Sequence, residues 1–324
     1  MKKEKKNERL EIDGKVIIKN KTSFGVRIWK NKYMYLLFLP MLIYMLIFCY
    51  YPMYGVILAF KDFNFGLGIL HSPWADHFGW GNFIDIFDNP QFFIAFRNTL
   101  IISLGRLVFE FPIPIILALL LNEIRSTKYK RTVQTIFTFP HFISWIIVYG
   151  LFFNLFSSDG VVNQLLALVG IGKQTILSSP NMFRPLLFIS DNWKEMGWSA
   201  IIYLASISGI SPELYEAAKI DGASRRKLVW HITLPCILGT IAILLVLQVA
   251  GTMNAGFDQI FNMYNPAVQD KSDIIDTLIY RLSFKQGSDF GFTTAIGLFK
   301  SVINFILLII ANTFVKRSTG KGIY

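Results

Sequence analysis

Arg106 and Glu110 lie four positions apart inside an otherwise apolar stretch. On a helix that spacing puts both on one face, close enough to pair. Ionisable groups within a membrane span mark function by default, although a structural ion pair is the simpler reading here and outweighs substrate contact. Farther along, Gln248, Thr252 and Asn254 recur at near-helical spacing and supply uncharged donors and acceptors. Trp193, Trp198 and Tyr203 offer flat faces on which a ligand could stack, while serving equally well as interfacial anchors. Asn154 and Asn304 stand alone and can bridge helices. No catalytic constellation appears. GxxxxGK[ST], HExxH, GxSxG and CxxC are absent, and the nearest string to a phosphate loop, Gly170-Ile171-Gly172-Lys173, lacks the first glycine. His71, His77, His141 and His231 show no ligand spacing. Cys49 and Cys236 are both embedded in apolar stretches, so neither a metal site nor a disulfide framework is expected.

The elements that must position these groups are membrane helices. Hydrophobic residues make up 53% of the 324 and charged residues 16%, against roughly 25% charged in soluble chains. With a mean hydropathy of +0.46, there is too little polar surface to keep the chain in water. Several apolar runs exceed the about 20 residues that cross a bilayer. Disordered, collagen-like, disulfide-scaffold and ordinary globular classes are excluded, leaving an all-α polytopic membrane protein. Six transmembrane helices are expected, at residues 35–60, 98–121, 135–156, 186–207, 232–255 and 296–315. The fourth is the weakest, because Asp191, Lys194 and Glu195 fall in its first turns. The first run is too long for a cleavable signal and no small-residue cleavage site follows it, so it should remain as an anchor. Before it, residues 22–32 mix Phe24, Ile28 and Trp29 with Arg27, Lys30 and Lys32, a pattern for a short interfacial helix. The chain thus divides into a basic tail with an interfacial helix (1–34), a first span and external loop (35–92), a core (93–316) and a short tail (317–324).

The net charge of +11 invites nucleic acid as a partner, but eleven of the 32 Lys and Arg precede the first apolar run. They read instead as an orientation signal. The 1–34 tail, the 122–134 and 208–231 loops and the last residues together hold 22 Lys and Arg, whereas the intervening loops hold six. The positive-inside rule then puts both termini and those two loops in the cytoplasm. The opposite loops are acidic and aromatic, the longest being 256–295 with Asp258, Asp270, Asp273, Asp276 and Asp289.

The cytoplasmic connection 208–235 stands out. Ser211 can cap a helix, Pro212 suits its first position and Glu213 favours the dipole there. Leu214, Tyr215, Ala217 and Ala218 give the short helix an apolar, close-packing side. Asp221-Gly222 should stop it, with Gly222 free to turn left-handed. A second, basic helix is expected from Ala223, leading to a fifth span that begins at Pro235.

Glu216-Ala217-Ala218, three residues, Gly222, nine residues and then Ile232-x-Leu234-Pro235 resembles the EAA loop of binding-protein-dependent ABC importer permeases, the MetI-like transmembrane domain, with no departure in spacing. Asp221 and Ala223 also fit. The resemblance covers roughly residues 93–316 plus the preceding span. Within the family the chain looks most like the oligosaccharide and polysaccharide permeases of the LplB and YteP type, relatives of the maltose permeases; Asn265-Pro266 and the ending Phe314-Val-Lys-Arg-Ser agree. The resemblance implies a type I importer transmembrane domain in the cell membrane, taking up oligosaccharides. Its implied partners are a second, homologous permease, two ATP-binding subunits and an extracytoplasmic binding protein. ATP and Mg would be held by the ATPase subunits, with no cofactor on this chain. Carried over by position, residues 211–222 would be the coupling helix, with Leu214, Tyr215, Glu216, Ala217, Ala218, Asp221 and Gly222 facing the ATPase. A peptide or phosphate-ester cargo is the first alternative. A stand-alone secondary transporter is the second, although the chain lacks the internal symmetry it needs.

Overall fold

The structure, a computed structural model, describes residues 8–12, 15–19, 24–287 and 289–320. It divides into two compact units, residues 1–57 and 58–324.

In the first unit the basic tail is not featureless. β1 (Glu8–Ile12) pairs antiparallel with β2 (Lys15–Lys19), Glu8 opposite Lys19 and Ile12 opposite Lys15; β-branched Ile12, Val16, Ile17 and Ile18 favour strand. α1 (Phe24–Lys30) falls inside the short helix expected at 22–32. α2 (Lys32–Met45) continues through a π turn, Leu46–Tyr50, into 3-10 winding from Tyr51. Pro52 lacks the donor an α-helix needs, and around it the regular ladder gives way.

Among the described residues, five helical runs are long and apolar enough to cross a membrane: Lys32–Phe60, Pro90–Glu123, Trp145–Leu168, Arg225–Ala250 and Phe290–Ser318. Three expected boundaries shift, each at a proline. α3 (Pro90–Phe109) starts earlier than expected because Asn89 accepts hydrogen bonds from the Gln91 and Phe92 amides and Pro90 takes the first position. The run is then interrupted at Glu110–Phe111, and α4 (Pro112–Glu123) follows. The expected third span, 135–156, is two elements. α5 (Thr127–Thr138) ends in a 3-10 turn, Phe139–Phe142, built around Pro140, and only α6 (Trp145–Phe156) resumes the apolar helix.

The fourth expected span lies within α7 (Pro180–Ser208), whose 29 residues make it about 43 Å long. Its charges keep it from the apolar five. They are accommodated by partners: Lys194, 6% exposed, donates to Glu195 and to the His141 carbonyl at 2.7 Å each, and Asp191 meets Arg106. A helix with such partners need not be apolar all round. At Gly197 the α5 backbone comes so near that a Cβ would stand 2.1 Å from the Phe137 carbonyl oxygen, which makes glycine obligatory there.

α8 (Pro212–Ile220) leads to α9 (Leu234–Ala250), and α10 (Ile275–Phe284) precedes α11 (Phe290–Thr319). The core of this unit forms where these helices cross. Leu117, Ala118 and Leu121 of α4 pack on Ala200, Tyr203, Leu204 and Ile207 of α7 and on Ile237 of α9. A second cluster joins Ile102, Phe152, Phe183 and Leu187 to Ile260 and Ile274 of the loop before α10. Polar ties cross between elements as well. The Asn98 amide donates to the Asp270 and Asp273 carbonyls at 3.0 and 2.9 Å, and Asn304 of α11 donates to the Ala250 carbonyl at 2.6 Å.

Candidate functional site: coupling helix and polar clefts

The segment expected to act in coupling forms as its local chemistry dictates. Pro212 opens α8 and Glu213 lies in its first turn. Ser211 occupies the cap position, although its side chain makes no capping hydrogen bond. Gly222 closes the helix at φ +75°, with its amide donating to the Lys219 carbonyl at 3.0 Å and the Ala223 amide to the Ala218 carbonyl at 2.9 Å. No side chain of α8 is buried. Leu214, Glu216 and Ala217 are exposed, as are Asp221 and Gly222, while Tyr215 and Ala218 are half-covered. Tyr215 turns back and its hydroxyl lies 3.0 Å from Thr233 Oγ1, pinning α8 to the helix that follows. That next helix begins at Arg225 rather than Ala223, because extended Ser224 takes the cap position. Winding then passes through a π turn, Val229–Thr233, and past Pro235 instead of starting there. A cleft of about 500 Å³ opens beneath, bounded by Tyr215, Glu216, Lys219, Glu123 and Arg225.

The polar groups of the bundle gather around α7. Arg106 meets Glu110 at 3.4 Å, as their spacing suggests, and also meets Asp191 at 3.0 Å. Its second terminal nitrogen donates to the Gln259 side-chain oxygen. The Gln259 amide in turn donates to the Leu187 carbonyl at 2.8 Å and to Ser190 Oγ at 2.7 Å. Beside this network lies a cleft of about 360 Å³, whose polar wall includes Glu110, Asp191, Glu195, Tyr203 and Gln248. Such a space can admit groups of sugar-ring size and offers them donors and acceptors.

The sequence-selected residues do not all converge. Gln248 and Tyr203 share that cleft. Asn254 lines a neighbouring one of about 610 Å³, together with Trp145, Asp191, Asp276 and Tyr280. Thr252 is engaged locally, donating to the Gln248 carbonyl at 3.0 Å while its own carbonyl accepts from Ser103. Trp193 packs against Phe152, ring centres 6.2 Å apart. Trp198 stacks on the His141 ring at 4.5 Å and 2° between planes, so one of its faces is already covered. His141 Nδ1 lies 2.6 Å from Glu195 Oε2. Sequence reasoning missed Asp191, Glu195, His141 and Gln259 as members of a site. The four-residue spacing of Asp191 and Glu195 on one face of α7 was a usable signal, read only as a weakness of the span.

The sequence profile of the family described as "Binding-protein-dependent transport system inner membrane component" matches residues 110–320. The chain is 43% identical over 300 residues to the polygalacturonan/rhamnogalacturonan transport system permease protein YteP of Bacillus subtilis (strain 168), covering 92% of each. It is 44% identical over 296 residues to protein LplB of the same organism, covering 91% of this chain and 92% of that one. Among solved structures it is similar to a chain of a bacterial alginate ABC transporter in complex with alginate pentasaccharide-bound periplasmic protein. The identity is 40% and the TM-score 0.83, over 93% of this chain and 99% of that one.

Proposed function

The chain belongs to the family of binding-protein-dependent transport system inner membrane components, and on that premise we propose that it is the transmembrane permease subunit of an oligosaccharide importer. Cargo arrives on an extracytoplasmic binding protein. ATP is hydrolysed on two partner ATPase subunits, and a second, homologous permease completes the pathway. The observation that carries this reading is α8, a short helix with no buried side chain, tied to the next helix through Tyr215 and closed by left-handed Gly222. An exposed, pinned helix of this kind has no use in a transporter working alone. It suits a lever pressed by a cytosolic partner. The polygalacturonan/rhamnogalacturonan permease and the alginate transporter support the cargo class, and the uncharged donors Gln248 and Tyr203 in one cleft suit sugar hydroxyls.

In this reading α7 is the fourth of six spans, both termini and α8 face the cytoplasm, and α1 lies on the inner membrane surface. Leu214, Glu216, Ala217 and Gly222 then meet the ATPase groove. Gln248, Asn254 and Tyr203 line the route, with Trp193, Trp198 and Thr252 as its supporting wall. The test is uptake of a labelled oligosaccharide into proteoliposomes that hold the full complex. Uptake should require both ATP and the binding protein. Equal uptake without nucleotide would instead support a secondary transporter.

A further inference from the structure

Six aromatic rings from four parts of the chain stand in one continuous line. Phe257 and Phe261 lie one turn apart on the short helix Phe257–Met263 and stack with ring centres 5.3 Å apart. Phe261 then meets Tyr280 of α10 edge to face at 4.8 Å. Tyr280 and Phe284 repeat the one-turn spacing on α10, at 5.6 Å. Phe284 meets Phe290, the first residue of α11, at 6.1 Å, and Phe290 meets Phe65 at 5.4 Å. Each separation is one that aromatic pairs favour.

A line of paired rings ordinarily belongs to a core, and this one does not. Phe284 is 69% exposed and Phe65 68%. Phe261 is exposed as well, and Phe257, Tyr280 and Phe290 are half-covered. The pairing fixes the rings in place and leaves much of their surface open. Phe257, Tyr280 and Phe284 wall the cleft of about 610 Å³ beside Asn254 and Asp258, which are both exposed. Asp191 borders this cleft and also the one that holds Gln248 and Tyr203, so the rings lead into the polar route. At the other end Phe65 belongs to the 61–93 connection, and in the topology proposed above all six rings are on the outer side. An interfacial belt girdles a bundle at one depth and faces lipid. Rings that share a cleft with an amide and a carboxylate instead suit a ligand with apolar and polar sides at once. A pyranose is such a ligand: its C–H face is flat and apolar, and hydroxyls lie around its edge.

We propose that these six rings form a track on which successive sugar units stack as the cargo passes from the outer surface to the cleft. This rests on the importer reading above and adds a binding site for the ring faces of the cargo, whatever their substituents. Stacking on an aromatic face tolerates different partners, as it does for the bases of single-stranded nucleic acids. Each contact is modest and replaceable by the next, so the cargo advances by one unit without releasing all its holds. A long cargo covers more rings at once than a short one, and the loss of rings must tell most on long cargo.

The test uses the assembled complex in proteoliposomes. The probe is a partial hydrolysate of mixed plant and bacterial polysaccharides, and mass spectrometry of the lumen reads uptake by length. Two double variants are compared with the parent. Phe65→Leu with Phe284→Leu keeps apolar bulk and removes the flat faces, whereas Phe65→Tyr with Phe284→Tyr keeps the faces. At subsaturating probe the leucine pair should lose about tenfold of its hexasaccharide uptake and at most about twofold for disaccharides. The tyrosine pair should stay near the parent. Melting temperature and ATPase stimulation by loaded binding protein should be unchanged in both, because neither Phe65 nor Phe284 is buried. Parental uptake by the leucine pair would show that lipid or the second permease covers these rings, and would overturn the track. Equal losses for short and long cargo, a tyrosine pair as poor as the leucine pair, a lowered melting temperature or reduced stimulation would overturn it too. In each of those cases ATP-driven uptake by the parent keeps the importer reading. If the parent takes up no oligosaccharide of any length, the importer reading falls and the track with it.

Discussion

Arg106 of α3 stands 3.0 Å from Asp191 of α7, so a contact between two segments far apart in the chain ties the middle of the bundle together. The same guanidinium also serves Glu110 on its own helix. Asp191 is 16% exposed and Glu110 8%, so both carboxyl groups are largely screened from water. One cation therefore holds two carboxyl groups and, through Gln259, the short helix Phe257–Met263.

Removing that cation should be far worse than removing one acid. Arg106→Leu leaves two covered carboxylates without a partner, a change that costs about 3–5 kcal/mol where a buried pair is broken. Asp191→Asn leaves the Arg106–Glu110 pair intact and should cost less. Thermal unfolding of the purified complex measures both. A melting temperature for Arg106→Leu equal to that of Asp191→Asn would show that Arg106 does not organise the network.

The proposed topology rests on the Lys and Arg bias, and the structure decides where to probe it. Asp273 is 3% exposed and holds Arg281, so a cysteine there would report on packing rather than sidedness. Asp270 and Lys227 are exposed. In a background without Cys49 and Cys236, Asp270→Cys should react with an impermeant thiol reagent on intact cells, and Lys227→Cys only after lysis. Reversal of the two, with Lys227→Cys reacting on intact cells and Asp270→Cys only after lysis, means that α7 does not span.

The 208–235 connection was legible because its signals are local. Pro212, Glu213 and Gly222 each act on backbone within a turn of themselves, and α8 begins and ends where they direct. Spans were less legible wherever a proline split an apolar run, as at Pro112 and Pro140, since hydropathy does not register a missing donor. The clefts were the least legible. Asp191 meets Arg106, and His141 meets Glu195, only after helices far apart in the chain have packed. The charges that made α7 look like a poor span are those that build the site.

Gly222 offers a test of coupling apart from contact. A Cβ there would meet nothing within 4 Å, so a larger residue acts through the backbone alone. At φ +75° Gly222→Val should strain the turn by roughly 1–2 kcal/mol and tilt α8. ATPase stimulation by loaded binding protein should fall, with the subunits still copurifying. Full stimulation in a stably assembled variant would remove Gly222 from the coupling mechanism.

Gln248 and Asn304 are both polar residues on apolar helices, and the structure separates their roles. Asn304 donates to the Ala250 carbonyl at 2.6 Å and thereby bridges α11 to the end of α9. Gln248 is exposed to the cleft it shares with Tyr203 and Glu110. Asn304→Ala should therefore lower stability by about 0.6 kcal/mol, the usual worth of an interhelical hydrogen bond in a membrane, and leave cargo preference alone. Gln248→Ala should leave the melting temperature nearly unchanged and alter uptake across oligosaccharides of different length, because it withdraws a donor and an acceptor from the route rather than from the fold. Asn254→Ala in the neighbouring cleft should follow Gln248 in kind. Uptake profiles and melting curves on the three variants read both quantities at once. A lowered melting temperature with an unaltered cargo profile in Gln248→Ala would return that residue to the scaffold and leave Tyr203 as the sequence-selected residue of the cleft.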